Sequence, residues 1–308
     1  MSFSIRNHSK NTNLIFLIAF LSGLFLGDYA SSLKGFILPA LILIMSLSTT
    51  QVTLAELGHF RRYLRDIGIV FSINYLFLSG IILSANYLWI KDQDLYVGFV
   101  VMAAIPSAIA VLPFTYLLKG EMMVSLIGSA SLYLLALGMA PLISFHLLEV
   151  GTIEPIKVIS SLIQLILIPF VISRVLLKWK TYHSMKEHLG PLVTLTFGFI
   201  IFIVIGINRS VFLGQFDLLL QLSGIALLRT FGTGHLVHLV SKMAGVDRKR
   251  RMSYVLFGSF KNLGLAAAIS IVLFNERTAI PSAVAIPFEI LFFIWFNYYQ
   301  KRWNPESS

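Results

Sequence analysis

Three ionisable residues stand in the interior of long apolar runs: Arg229 in 216–243, Lys261 in 252–275 and Glu289 in 279–299. Around Lys261 the chain reads Leu256-Phe257-Gly258-Ser259-Phe260-Lys261-Asn262-Leu263-Gly264-Leu265-Ala266. In hydrocarbon a charge persists only if something pairs with it, solvates it or uses it, so each is a candidate site residue. Glu289 is expected to neutralise Lys261 or Arg229. Two cations and one carboxylate then leave a positive field that suits an anionic substrate group. An amine held between desolvation and a carboxylate is also a candidate carrier of a coupling proton. The bland alternative is a fixed Arg229–Glu289 pair that locks helices together and touches no substrate.

Uncharged candidates cluster at two interruptions. Pro106 and Ser107 interrupt the run 95–118; Ser259 and Asn262 flank Lys261. Backbone groups freed at a broken helix need polar partners, so capping alone accounts for these residues, and substrate contact is a further role. His235 and His238 share a helix face at i and i+3, a spacing that suits a metal only with a third ligand; packing explains them as well. No Ser/His/Asp grouping and no metalloprotease motif is present, and the Gly-Thr-Gly at 232–234 lacks the strand of a nucleotide loop. The chain is therefore expected to be neither an enzyme nor a cofactor or metal binder.

The elements that must position these groups are membrane spans. Of 308 residues 57% are apolar and 12% charged, and the mean hydropathy is +0.83. Charged residues are about a quarter of a soluble chain. A spanning helix needs about 20 mostly apolar residues. Ten such runs are legible, at 13–30, 35–54, 65–89, 95–118, 122–148, 155–177, 189–208, 216–243, 252–275 and 279–299. The first resembles a signal sequence but is needed as a retained span. Arg229 lies 12 residues after Asp217 and 13 before Lys242; Glu289 lies 12 after Arg277 and 12 before Lys301. At about 1.5 Å per residue both sit about 18 Å from either boundary, at mid-bilayer.

Alternating spans divide Lys and Arg 17 to 5 between the two faces, with Arg229 and Lys261 left inside. The positive-inside rule then makes both termini cytoplasmic, in a multi-pass protein of the plasma membrane. The net charge of +10 thus reports topology and anionic lipid, not nucleic acid. The cluster Arg248-Lys249-Arg250-Arg251 belongs to the same signal, and 54–63 reads as a short interfacial helix. Trp89, Trp179 and Trp303 fall at span ends. Zero cysteines exclude disulfides and thiolate sites.

Ten spans with both ends inside split into 1–149 and 150–308, five spans each. Odd-numbered halves that resemble each other are inverted, an architecture that places the site between broken helices at the midplane. The interruptions at Pro106 and at Gly258–Gly264 each fall in the fourth span of a half.

At these two segments the sequence resembles the bile acid:sodium symporter superfamily, which contains arsenite exporters and is related to auxin-efflux-type carriers. Ile105-Pro106 through Phe114-Thr115-Tyr116-Leu117-Leu118-Lys119-Gly120-Glu121, with Ser125, is similar to that family's Pro-Gly-Gly-Thr-x-Ser-Asn…Thr-Tyr-Leu-x-Lys-Gly-Asp segment. The run 257–266 is similar to its Glu-x-Gly-Met-Gln-Asn-x-Gly-Leu-Ala segment. The resemblance implies an all-α integral membrane fold of ten transmembrane helices in an inverted five-plus-five repeat. Spans 3–5 and 8–10 would form a core domain, spans 1, 2, 6 and 7 a panel domain, and the broken helices 4 and 9 would cross at the core centre. It also implies where sodium would bind, and there the chain departs. Val111 and Leu112 replace a Ser and an Asn, Phe257 a shared Glu, and Lys261 a Gln; of the first sodium site only the hydroxyls of Ser125 and Ser129 remain. An ammonium beside that place repels sodium.

The expected function is secondary transport of a small organic anion by alternating access, not coupled to sodium in the family's manner; a proton carried by Lys261, exchange and uniport are the open modes, the proton being favoured over sodium. The alternatives are a sodium-coupled symporter of organic anions or bile-acid-like solutes, and a non-transporting sensor or scaffold with a transporter fold.

Overall fold

The computed structural model describes residues 2–50, 60–108, 110–147, 168–169 and 171–303, and among these every regular element is a helix. Two helices are by themselves long and apolar enough to cross a membrane, Arg61–Trp89 and Arg277–Gln300. Shorter apolar helical stretches accompany them at Leu14–Phe25, Ser31–Leu47, Gln93–Ala104, Met122–Ala136, Pro191–Ile207 and Leu263–Leu273. The expected sixth span (155–177) lies mostly outside the described residues. So do residues 54–59 of the expected interfacial helix, and 149 and 150, where the two halves would divide.

The first helix, α1 (Ser2–Phe25), ends earlier than the expected span 13–30. Tight turns at Gly27–Tyr29 and Ser31–Phe36 follow before α2 (Ile37–Thr49). The cause is packing: a Cβ on Gly27 would lie 2.8 Å from the carbonyl oxygen of Gly206. A helix crossing this closely must turn away once it is past the contact. The third span is a relay of α3 (Leu64–Phe71), a wide π-helical segment (Ser72–Leu78) and α4 (Ser79–Trp89).

The stretch expected as the fourth span is broken. Its first half, α5 (Gln93–Ala104), stops where Pro106 forces Ile105 into extended backbone, at φ −76° and ψ 146°. The second half, α6, runs Val111–Leu117 with Pro113 in its first turn, where a missing N–H costs nothing. After α7 (Met122–Leu147) come α8 (Lys180–Ile207) and the short α9 (Arg209–Gly214). The eighth span repeats the design of the third: α10 (Phe216–Leu227), a π-helical segment (Leu228–Gly232) and α11 (Thr233–Met243). The ninth repeats the fourth, with α12 (Arg248–Phe257) separated from α13 (Leu263–Leu273). The last helix, α14, runs Ile280–Trp303.

The recurrence extends to single residues. Asp92 caps α5 by accepting from the Leu95 N–H, and Asp247 caps α12 by accepting from the Arg250 N–H. Asp92 and Asp247 are 155 residues apart (247 − 92), as are Asn74 and Arg229 (229 − 74), which sit in the two π-helical segments.

Buried apolar side chains form two clusters. One holds Ala103 to Ile105 and Leu263 to Ala268 together with Leu41, Ile44 and Ile200 to Ile205. The other holds Val111, Phe114, Phe257, Phe260, Phe292 and Phe296. They part at the two breaks, so the polar residues of the breaks lie between two apolar layers.

One rim is held by the contact of α5 with the turn Arg277–Ala279. Arg277 donates from Nε and Nη2 to Asp92 Oδ2 at 3.0 and 2.6 Å. This guanidinium holds the Asp92 carboxyl below its ordinary pKa. Gly98 makes the approach possible: a Cβ there would lie 2.2 Å from the Thr278 carbonyl oxygen. Gly98→Ala is expected to cost about 1–3 kcal/mol through forced separation of these elements, read as a lowered midpoint of thermal unfolding in detergent. An unchanged midpoint would refute the close contact.

Candidate functional site

The two breaks meet. The Asn262 N–H donates to the Pro106 carbonyl at 3.0 Å, joining the interruption of one span to that of the other. Asn262 then caps α13, its Oδ1 accepting from the Leu265 N–H at 3.1 Å, while its Nδ2 donates to the Tyr133 hydroxyl at 2.8 Å.

Lys261 is 0% exposed and its ammonium is enclosed by oxygens. The three N–H groups of Nζ are shared among four acceptors: Asn74 Oδ1 (3.0 Å), Ser79 Oγ (2.9 Å), the Ala103 carbonyl (3.1 Å) and the Ile105 carbonyl (2.9 Å). The Tyr75 ring closes a further side, 4.7 Å from its centroid to Nζ. All four oxygens are oriented as acceptors. The Asn74 amide donates through Nδ2 to the Phe257 carbonyl at 2.9 Å, which leaves Oδ1 toward the amine. The Ser79 hydroxyl is 2.7 Å from the Ala103 carbonyl, so its proton is used there and its lone pairs face Nζ. The two carbonyls stand at the C-terminal end of α5, where free C=O groups carry the negative pole of a half-helix. Nothing in this cage is a carboxylate; it is a cage of neutral dipoles filled by the chain's own cation.

Arg229 serves the other half-helix. It is 0% exposed, and Nη2 donates to the Ser259 carbonyl, just past the end of α12, at 2.7 Å and to Glu289 Oε1 at 2.5 Å. Glu289, 8% exposed, also accepts the Lys261 backbone N–H at 2.9 Å. Of the two cations open to it on sequence grounds, Glu289 thus takes Arg229 as its ion pair and holds Lys261 by the main chain alone. Arg229 Nε and Nη1 and Thr230 Oγ1 are buried with no partner among the described residues. Such groups call for water or an anion.

The structure places the remaining candidates unequally. Pro106 and Ser259 contribute their carbonyls, as above. Ser107 Oγ and Ser129 Oγ are buried without a partner among the described residues. Ser125 Oγ pairs with Thr115 Oγ1 at 2.6 Å. His235 accepts from Trp295 Nε1 at 3.2 Å through Nε2, and its Nδ1 meets the Phe231 carbonyl at 2.8 Å. His238 packs against the Phe296 and Tyr299 rings. Among the described residues no three His, Asp or Glu gather as a metal would need. Sequence reasoning missed Asn74, Tyr75, Ser79 and Tyr133. A buried-depth amide in the run 65–89 was the available signal for Asn74; the others carry none.

A model of the SBF-like CPA transporter family matches residues 44–292, a stretch that contains both breaks, the Lys261 cage and the Arg229–Glu289 pair. No curated protein matches the chain. The match covers 249 of 308 residues (292 − 44 + 1), so this is a helical membrane protein of transporter type. The chain belongs to the SBF-like CPA transporter family.

Proposed function

We propose that this chain is a secondary transporter that moves a small organic anion across the plasma membrane by alternating access, without sodium as its coupling ion. The observation that carries this reading is the filled cage. Four oxygens at the crossover converge on the Lys261 ammonium, so the place suited to a monovalent cation is already taken. Arg229 occupies the corresponding end of α12. With both negative half-helix poles covered by internal cations, and one carboxylate between them, the field at the crossover repels cations and favours an anion. The unpartnered Nε and Nη1 of Arg229 are donors for such a group.

The same reading organises the chain as ten spans in two inverted halves, 1–149 and 150–308, with both termini cytoplasmic. The recurrence of a π-helical segment, a capped half-helix and a break at a fixed interval supports it, because inverted repeats set matching broken helices against each other. Spans 3–5 and 8–10 form the core that moves and spans 1, 2, 6 and 7 the panel. The proton is the coupling ion and Lys261 its carrier. The cage fits the protonated amine, and the proton leaves when the carbonyls of Ala103 and Ile105 withdraw as the core changes state.

The test is uptake of small carboxylates into proteoliposomes with sodium and proton gradients imposed separately. Uptake should follow the proton gradient and ignore sodium. Uptake that follows sodium at constant pH would overturn the reading in favour of a sodium symporter, and failure to move any carboxylate would favour a sensor or scaffold.

A further inference from the structure

We propose that Phe197 is the gating ring of the site, closing the approach to Asn262 and setting the size of solute that reaches it. The inference rests on the reading of the crossover as a transport site.

Lys261 and Arg229 are sealed at 0% exposure, so a solute does not meet the crossover through the interior of the core. Beside the second break, α8 packs on α13. There Phe197 lies directly on the backbone of Gly264. A Cβ on Gly264 would be 2.5 Å from Phe197 Cε1 and 3.0 Å from Cδ1, closer than any side chain tolerates. Gly264 is the second residue of α13 and two residues from Asn262, which holds both the Pro106 carbonyl and the Tyr133 hydroxyl. The ring therefore packs on the first turn of α13, directly after the break. It comes from a different body: α8 packs along α1 and α2, and Phe197 leans on Phe16 of α1 at 6.3 Å between ring centroids. Phe197 and Tyr133 are each only partly buried. A ring on one body that covers a glycine on the other is displaced whenever the two slide, which is what a gate requires. A glycine at 264 carries no side chain to hold the ring, so the ring can leave without breaking a polar contact.

The chain has no cysteine, so Tyr133→Cys carries a single thiol beside Asn262. Its labelling by a small and a bulky anionic thiol reagent, in liposomes, reads access without any solute. With Phe197→Ala the bulky reagent should react about tenfold faster and the small one less so, as when a closing barrier is removed from a protected group. Equal rates with and without the ring, for both reagents, overturn the proposal. If Phe197→Ala does not fold, Phe197→Leu takes its place. A second measurement asks whether Gly264→Ala lowers the unfolding midpoint in the parent and less in Phe197→Leu; an identical loss in both also overturns it. Faster labelling with no carboxylate moved by any variant would refute the transport reading and leave the gate standing.

Discussion

Lys261→Met is expected to cost about 3 kcal/mol of stability and to abolish coupled transport, although it keeps most of the volume of the side chain. Methionine offers no donor, so Asn74 Oδ1, Ser79 Oγ and the carbonyls of Ala103 and Ile105 lose a shared partner inside an apolar layer. Each buried acceptor left alone costs about 1–3 kcal/mol, offset by the ammonium no longer being desolvated. Lys261→Arg should do nearly as badly. Its planar fork needs a wider site than an ammonium, and the cage is closed by the Tyr75 ring at 4.7 Å. The measurement is the unfolding midpoint in detergent with uptake in parallel. A Lys261→Met protein of parent stability that still responds to a proton gradient would remove both the cage and the carrier role.

Lys261→Ala separates the charge from its tether. The oxygens of the cage come from α4, α5 and the π-helical segment before α4, not from the neighbours of Lys261, so they remain when the side chain is trimmed. Their 2.9–3.1 Å spacing from Nζ is that of N–H···O hydrogen bonds. Ammonium or methylammonium chloride should therefore restore part of the lost midpoint where choline chloride does not. Equal effects of all salts would mean that the cage collapses.

The breaks were legible in the sequence because they depend on residues with distinctive backbone preferences. Pro106 dictates its own helix end, and Asn262 beside Lys261 in an apolar run is a poor helix interior. The burial of Arg229, Lys261 and Glu289 was legible too, since each stands inside a long apolar run. The contents of the cage were not. Two of its four oxygens are main-chain carbonyls of Ala103 and Ile105, and a carbonyl has no identity in a sequence. The π-helical turns that present Asn74 and Arg229 widen the backbone without requiring any residue type. The partner of Glu289 was ambiguous for a related reason. Lys261 and Arg229 are both buried and both touch Glu289, and only the direction of each side chain assigns the carboxylate to one of them. Hydropathy likewise overran the end of α1, because Gly27 turns the chain to pack on Gly206, a contact made by a distant helix.

Glu289→Gln is expected to cost about 3–5 kcal/mol, the loss that follows when one member of a buried ion pair is removed and the other stays. Glutamine can still accept the Lys261 N–H at its Oε1, so the substitution leaves the main-chain hold and takes away the charge. Arg229, at 0% exposure and with Nε and Nη1 already unpartnered, would then be an uncompensated cation next to a second one. Arg229→Met should be less harmful to folding than Glu289→Gln, because it removes a cation from a site with an excess of them. The pair Arg229→Met/Glu289→Gln should recover stability relative to Glu289→Gln alone, with a coupling of about 0.5–3 kcal/mol in the double-mutant cycle. The transport readout of that pair decides what the ion pair is for. If Arg229 only neutralises Glu289, the doubly neutral protein keeps its uptake of carboxylates. If Arg229 supplies donors to the anion, uptake is lost while the midpoint is retained, and Arg229→Met alone shows the same loss. The nitrogens without a partner among the described residues make the second outcome the expected one, since a guanidinium serving only as a brace would be expected to have its buried donors satisfied.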